Sequence, residues 1–126
     1  MATQYKILMF LKRRPGMSVE AFRDYYENRH VKLCEKYVTG VRRYVRRFLD
    51  PLADPTTGMT QDLPFDVVTE LWFDDEALFR ATVHHLSTSA MPEDVIEDEK
   101  NLFDRAKNRI ATAIEYESRL PGQTAG

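Results

Sequence analysis

His30, Tyr44 and Glu70 are the side chains whose types and surroundings suit chemistry. His30 follows Phe22 and Tyr26 at steps of four, the spacing that places residues on one face of a helix. An imidazole beside aromatic rings suits general acid–base work near neutral pH. The plainer alternative is a core histidine bonded to a backbone carbonyl. Tyr44 shares one side of a strand-like run with Arg42, Arg46 and Phe48. Its phenol, or the guanidinium of Arg46, suits a carbonyl oxygen on its way to an enolate; packing, with the hydroxyl at the edge, is the other use. Glu70 is a carboxylate inside an apolar run and shares a strand face with Trp72. Buried, it needs a partner or takes a raised pKa, which makes a base. A salt bridge between subunits to the arginine-rich strand would serve it equally.

Weaker candidates follow. His84 and His85 are adjacent, so on a helix they diverge and do not form a metal pair at i, i+4. His85 lies seven residues after Leu78 and is expected to face inward, His84 outward. Cys34, one turn beyond His30, reads as a redox or nucleophilic residue or as a small hydrophobe. Being the only cysteine, it permits no disulfide within the chain and no cysteine-built tetrahedral metal site. No glycine-rich phosphate loop and no serine elbow is present. No metal is expected.

These residues need elements to hold them. Residues 5–12 form a short, continuously apolar run that reads as a central strand. Arg14-Pro15-Gly16 breaks the chain, and Ser18 caps a helix carrying Val19, Phe22, Tyr26, His30, Leu33 and Tyr37 on one face. Gly40 ends it. Strands are expected over 41–49 and 66–73, on either side of a long polar loop from Asp50 to Pro64. Asp74 or Asp75 caps a helix through about His85, Ser87-Thr88-Ser89 interrupts it, and Pro92 opens another. A fourth strand is expected over 108–117 and a frayed, disordered tail over 121–126. One domain thus spans 1–120, with no internal repeat.

The order β-α-β-β-α-α-β is the split βαβ arrangement of α+β, ferredoxin-like folds, with an antiparallel four-stranded sheet and one extra helix. Helices then cover one sheet face, yet the strands are apolar on both. Ile7, Met9 and Leu11 oppose Leu8 and Phe10, and Val67, Leu71 and Phe73 oppose Val68 and Trp72. An uncovered apolar face of that size calls for a partner. A second copy is the simplest, giving a homodimeric α+β barrel, with Ile7, Met9, Val67 and Leu71 expected on the shared face.

The 126 residues suit one globular domain, and no apolar run reaches the roughly 20 residues of a membrane helix. Met1-Ala2-Thr3-Gln4 leads into a strand pattern without the parts of a signal peptide, so the cytoplasm is expected. Net charge is −2 but unevenly spread. Arg42, Arg43, Arg46 and Arg47 crowd one segment, and Glu93, Asp94, Glu97, Asp98 and Glu99 another. Two solvated, mutually attracting faces explain this more simply than an anion site. Nucleic acid is not an expected partner. Arg43 to Phe48 lacks the glycines of RNA-reading signatures, and the chain is net acidic.

Lys12-Arg13-Arg14-Pro15-Gly16-Met17-Ser18, then Glu20, Phe22, Tyr25-Tyr26-Glu27 and His30-Val31-Lys32-Leu33, resemble the EthD family. So do Arg43-Tyr44, Glu70-Leu71-Trp72-Phe73 and Phe103-Asp104. Lys32 stands where the family usually has proline. The resemblance implies a dimeric α+β barrel. It also implies a choice of activities: dehydration or decarboxylation of aromatic polyketides in fungal members, isomerisation of muconolactones or polyketide cyclisation in related barrels, or a role accompanying the breakdown of ethers and aromatics. In muconolactone-isomerising relatives a first-helix histidine and a second-strand tyrosine line the pocket, which maps onto His30 and Tyr44.

The expectation is therefore a cofactor-free lyase or isomerase for a small aromatic or cyclic hydroxy-carbonyl compound. His30 would move the proton, with Glu70 a second candidate base. Tyr44 or Arg46 would hold the oxyanion, Phe10, Tyr26 and Trp72 would supply apolar walls, and His85 would reach the substrate. The rivals are a haem- or oxygen-using barrel and a non-catalytic binder of small ligands.

Overall fold

In a computed structural model, residues 5–123 are described. Strands β1 (Tyr5–Leu11), β2 (Arg43–Phe48), β3 (Val67–Phe73) and β4 (Arg109–Thr112) form one sheet in the order β2-β3-β1-β4. Every neighbouring pair is antiparallel. Between β1 and β2 the chain is helical through α1 (Val19–Tyr25), a π-helical turn (Tyr26–His30), α2 (Val31–Cys34) and a 3-10 turn (Glu35–Tyr37). Helices α3 (Glu76–Thr88) and α4 (Glu93–Glu99) follow β3. This is the α+β, ferredoxin-like architecture expected from the element order.

Local chemistry sets the helix starts. Ser18 Oγ accepts from the Ala21 amide at 3.0 Å, and Asp75 Oδ1 accepts from the Ala77 and Leu78 amides, so each satisfies donors with no partner inside the helix. Gly40, at φ +83°, turns the chain out of the helix. A Cβ there would meet Leu78 Cδ2 at 2.9 Å, a side-chain end that can move aside, so it is the positive φ that favours glycine.

The helices lie on the face of the sheet that carries Ile7, Leu11, Val67, Leu71 and Phe73. With Phe22, Tyr26, Val31, Val95, Leu102 and Phe103 these form the buried core. This corrects the expectation that Ile7, Met9, Val67 and Leu71 meet a second subunit. Both faces are apolar, so alternation alone could not say which one the helices take. The register settles it, pairing Ile7 with Leu71 and Met9 with Thr69 under the helices. Lys6, Leu8, Phe10, Val68, Glu70 and Trp72 point to the uncovered side.

Two further expectations are revised. The Val31 amide donates to Tyr26 O, a step of five residues rather than four. That extra residue rotates everything beyond it, so Val31 is buried while Tyr37 is exposed. Strand β4 stops at Thr112, leaving 113–120 without strand pairing and Ile114 and Tyr116 84% and 94% exposed. Of the tail expected over 121–126, Pro121 and Gly122 form an exposed turn, and 124–126, like residues 1–4, lie outside the described residues.

Candidate active site

Between the sheet and the helices lies a cavity of about 240 Å³. Met9, Leu71, Val38, Leu86, Val95 and Phe103 give it an apolar wall, and His30, Cys34, Tyr44, Thr82, His85 and Glu99 bring polar atoms to it. The π-helical turn positions the first of these. It keeps Tyr26 and His30 on the inner face and brings the Cys34 thiol to within 3.4 Å of His30 Nε2.

His30 is 4% exposed, and its ring meets Tyr26 and Phe103 edge-on at centroid distances of 5.6 and 5.4 Å. Its Nδ1 lies 2.8 Å from Asp98 Oδ2. An ionised carboxylate can only accept, so Nδ1 carries a hydrogen, and whenever the ring holds just one hydrogen Nε2 keeps its lone pair. Asp98 is itself fixed, because the Tyr25 hydroxyl donates to its other oxygen at 2.6 Å. The result is an oriented imidazole whose second nitrogen, Nε2, meets the Cys34 thiol at the cavity. His30 is thus buried in the core, but its partner is the Asp98 carboxylate and not a backbone carbonyl.

The neighbouring groups hold their protons. Burial pushes the Cys34 thiol up to about 11 and raises the Tyr44 phenol strongly. Burial likewise raises the Tyr26 phenol, which is hydrogen-bonded to Thr69 Oγ1. Tyr44 therefore stands at the cavity as a donor. Glu99 differs from all of these. Burial raises its pKa, Arg105 and His30 pull it back and Asp98 adds to the rise, with no hydrogen bond contributing. Among the described residues no group of three histidines, cysteines or carboxylates is placed to hold a metal ion.

Of the residues singled out from sequence, the fold gathers Tyr26, His30, Tyr44 and His85 around this cavity. Phe10, Arg46, Glu70 and Trp72 are not brought to it. Arg46 points to the helix side, but from the outermost strand, and its guanidinium grips both oxygens of Glu27 at 2.8 and 2.9 Å. Phe10 packs on Phe65 on the uncovered face. On that same face Glu70 accepts from Arg47 Nε at 2.6 Å and from Trp72 Nε1 at 2.8 Å. Burial tends to raise the Glu70 carboxyl, yet these two donors outweigh it and leave the pKa lowered. Glu70 is thus held as an anion by its own subunit's arginine. Lys6 and Arg43 sit over the Trp72 ring at 3.6 and 4.3 Å, which occupies the ring as a cation platform.

Asp98 and Glu99 were hidden in what reads as a solvated acidic run. A signal was there. Val95, Asp98, Glu99 and Leu102 recur at steps of three, four and seven, so both carboxylates share the apolar face of α4.

The sequence matches the EthD domain over residues 14–106. The fold is similar to that of an ethyl tert-butyl ether D (EthD) family protein from Bacillus halodurans, at 15% identity and a TM-score of 0.55, over 90% of this chain and 100% of the other. It is similar to an EthD-like protein from Ralstonia eutropha, at 17% identity and a TM-score of 0.51, over 91% and 90% of the two chains. It is also similar to HapK from Hahella chejuensis, at 14% identity and a TM-score of 0.51, over 98% and 100%. At these identities the likeness concerns the fold alone, and no curated protein sequence matches the chain. The family match runs from before the first helix to beyond Phe103 and takes in every residue that lines the cavity except Met9 and Leu11 of β1; the chain belongs to the EthD domain family.

Proposed function

We propose that the protein is a cofactor-independent lyase of the dehydratase type, or an isomerase, acting on a small aromatic or cyclic hydroxy-carbonyl compound. The observation that carries this reading is the His30–Asp98 pair on the wall of an apolar cavity. A neutral imidazole held by a carboxylate takes a proton from the carbon next to a carbonyl through Nε2. The Cys34 thiol, a weak donor at 3.4 Å, gives way to the substrate C–H. The Tyr44 phenol donates to the oxygen that gains charge as the enolate forms. The imidazolium then returns its proton. Given to a hydroxyl on the β-carbon, it releases water and leaves a double bond; given to a different carbon, it isomerises the substrate. Both outcomes balance without an external oxidant or reductant.

We further propose that two copies pair through the uncovered sheet face. Leu8, Phe10, Val68 and Trp72 supply its apolar surface, and the outward-facing segment with Ile114 and Tyr116 lies beside it in sequence.

The reaction is tested without knowing the natural substrate by following solvent deuterium entering 2-tetralone, a neutral bicyclic ketone, at the carbons beside its carbonyl. Catalysed exchange above the buffer rate supports the reading. A folded protein that never accelerates exchange in such ketones counts against it.

A further inference from the structure

Among the described residues Glu99 is the one carboxylate lining the cavity, and the proton-transfer scheme does not use it. It ends α4 beside Asp98, so the same half-turn that delivers a carboxylate to His30 delivers a second one to the ligand space. The two have different fates. Asp98 is saturated by His30 and Tyr25, whereas burial and nearby charges, with no hydrogen bond, govern Glu99. Among the described residues no lysine or arginine lines the cavity. The remaining wall is apolar or carries donors such as Tyr44.

We propose that Glu99 selects the ligand: its carboxylate accepts a hydrogen bond from a hydroxyl of a neutral ring compound and turns away ligands that carry a carboxylate. A half-buried acceptor without a donor gains most from an O–H group, and a charge-assisted bond of this kind is among the stronger ones. A second anion would meet Glu99 with no lysine or arginine among the described lining residues to offset it. The cavity volume lies just below the range of pockets for drug-sized ligands, which fits one or two fused rings. The substrate class this names is a neutral hydroxy-ketone or phenol rather than a lactone acid. The assignment rests on the proposed reaction only for its chemistry, since the binding preference stands by itself.

The experiment is isothermal titration of the purified protein at about pH 8 with 2-naphthol and 2-naphthoate, which differ in replacing a hydroxyl by a carboxylate. The wild type should bind 2-naphthol at least about tenfold more tightly, and Glu99→Gln should reduce that preference by about tenfold. Equal binding of the two probes, no binding of 2-naphthol up to its solubility, or a preference that moves less than about threefold in Glu99→Gln overturns the proposal. Deuterium exchange into 2-tetralone is read separately. Exchange without selectivity removes the role of Glu99 and leaves the reaction, and selectivity without exchange does the reverse.

Discussion

His30 Nδ1 and Asp98 Oδ2 are 2.8 Å apart although 68 residues separate them in the chain. The contact joins the first helical segment to α4 and fixes which imidazole nitrogen is left for chemistry. Asp98 is in this sense a positioning residue. It touches the His30 ring and is absent from the cavity lining.

Asp98→Asn should therefore lower exchange activity by about tenfold or more while leaving the protein folded. The distinguishing readout is the ring itself. Nitrogen NMR should find His30 with hydrogen on Nδ1 in the wild type and a mixture of tautomers in the variant. An unchanged tautomer alongside unchanged activity would dismiss the positioning role.

The thiol makes a prediction about alkaline stability. A cysteine thiol that ordinarily ionises near 9.0 is pushed to about 11 at Cys34 in the folded chain, so between those values the native state holds the proton more firmly than the unfolded one. Stability from this group is complete below about pH 9 and is lost as pH rises through about 11. Tyr26 and Tyr44 act in the same direction. Urea midpoints taken at about pH 8 and about pH 10.5 should fall, and fall less in Cys34→Ala. Iodoacetamide should label Cys34 slowly at neutral pH for the same reason.

Glu70 predicts the opposite limb. Its folded pKa is lowered, because the Arg47 and Trp72 donors outweigh burial. Its contribution is present above the unfolded carboxyl value and fades as pH falls through the lower folded one. Glu70→Gln should flatten the acid loss of stability in thermal melts and leave exchange into 2-tetralone unchanged. Loss of exchange in a folded Glu70→Gln protein would reinstate it as a base.

The two sheet faces give separable variants. Ile7 is fully buried under the helices, so Ile7→Asp should fail to fold, at a cost well above that of an ordinary surface change. Leu8, its neighbour on the uncovered face, should yield a folded monomer when changed to Asp. Sedimentation at low micromolar concentration should find the wild type at twice the chain mass. A monomeric wild type would dismiss the pairing.

What the sequence made legible was period and order. Alternation in β1 and β3, the Ser18 and Asp75 caps and the breaks at Gly40 and Pro92 sufficed for the element order and hence the sheet. Tyr26, His30, Tyr44 and His85 reached the cavity because helix and strand periods place neighbours reliably over one or two turns. The misplacements have physical reasons. A π turn cannot be read from a 3.6-residue pattern, so the helix face beyond His30 was off by one position. The two apolar faces of one strand do not announce which meets helices. A carboxylate such as Glu70 or Asp98 shows its partner only once chain segments far apart have met.

The central claim is that His30 moves a proton, and one comparison tests it most directly: wild type against His30→Gln, with deuterium exchange into 2-tetralone and thermal unfolding measured on the same preparations. Gln keeps a polar side chain that can still meet Asp98. The account predicts a folded protein whose catalysed exchange falls by about 10²–10⁴-fold. A normally folded His30→Gln protein with exchange within a few-fold of wild type would contradict it.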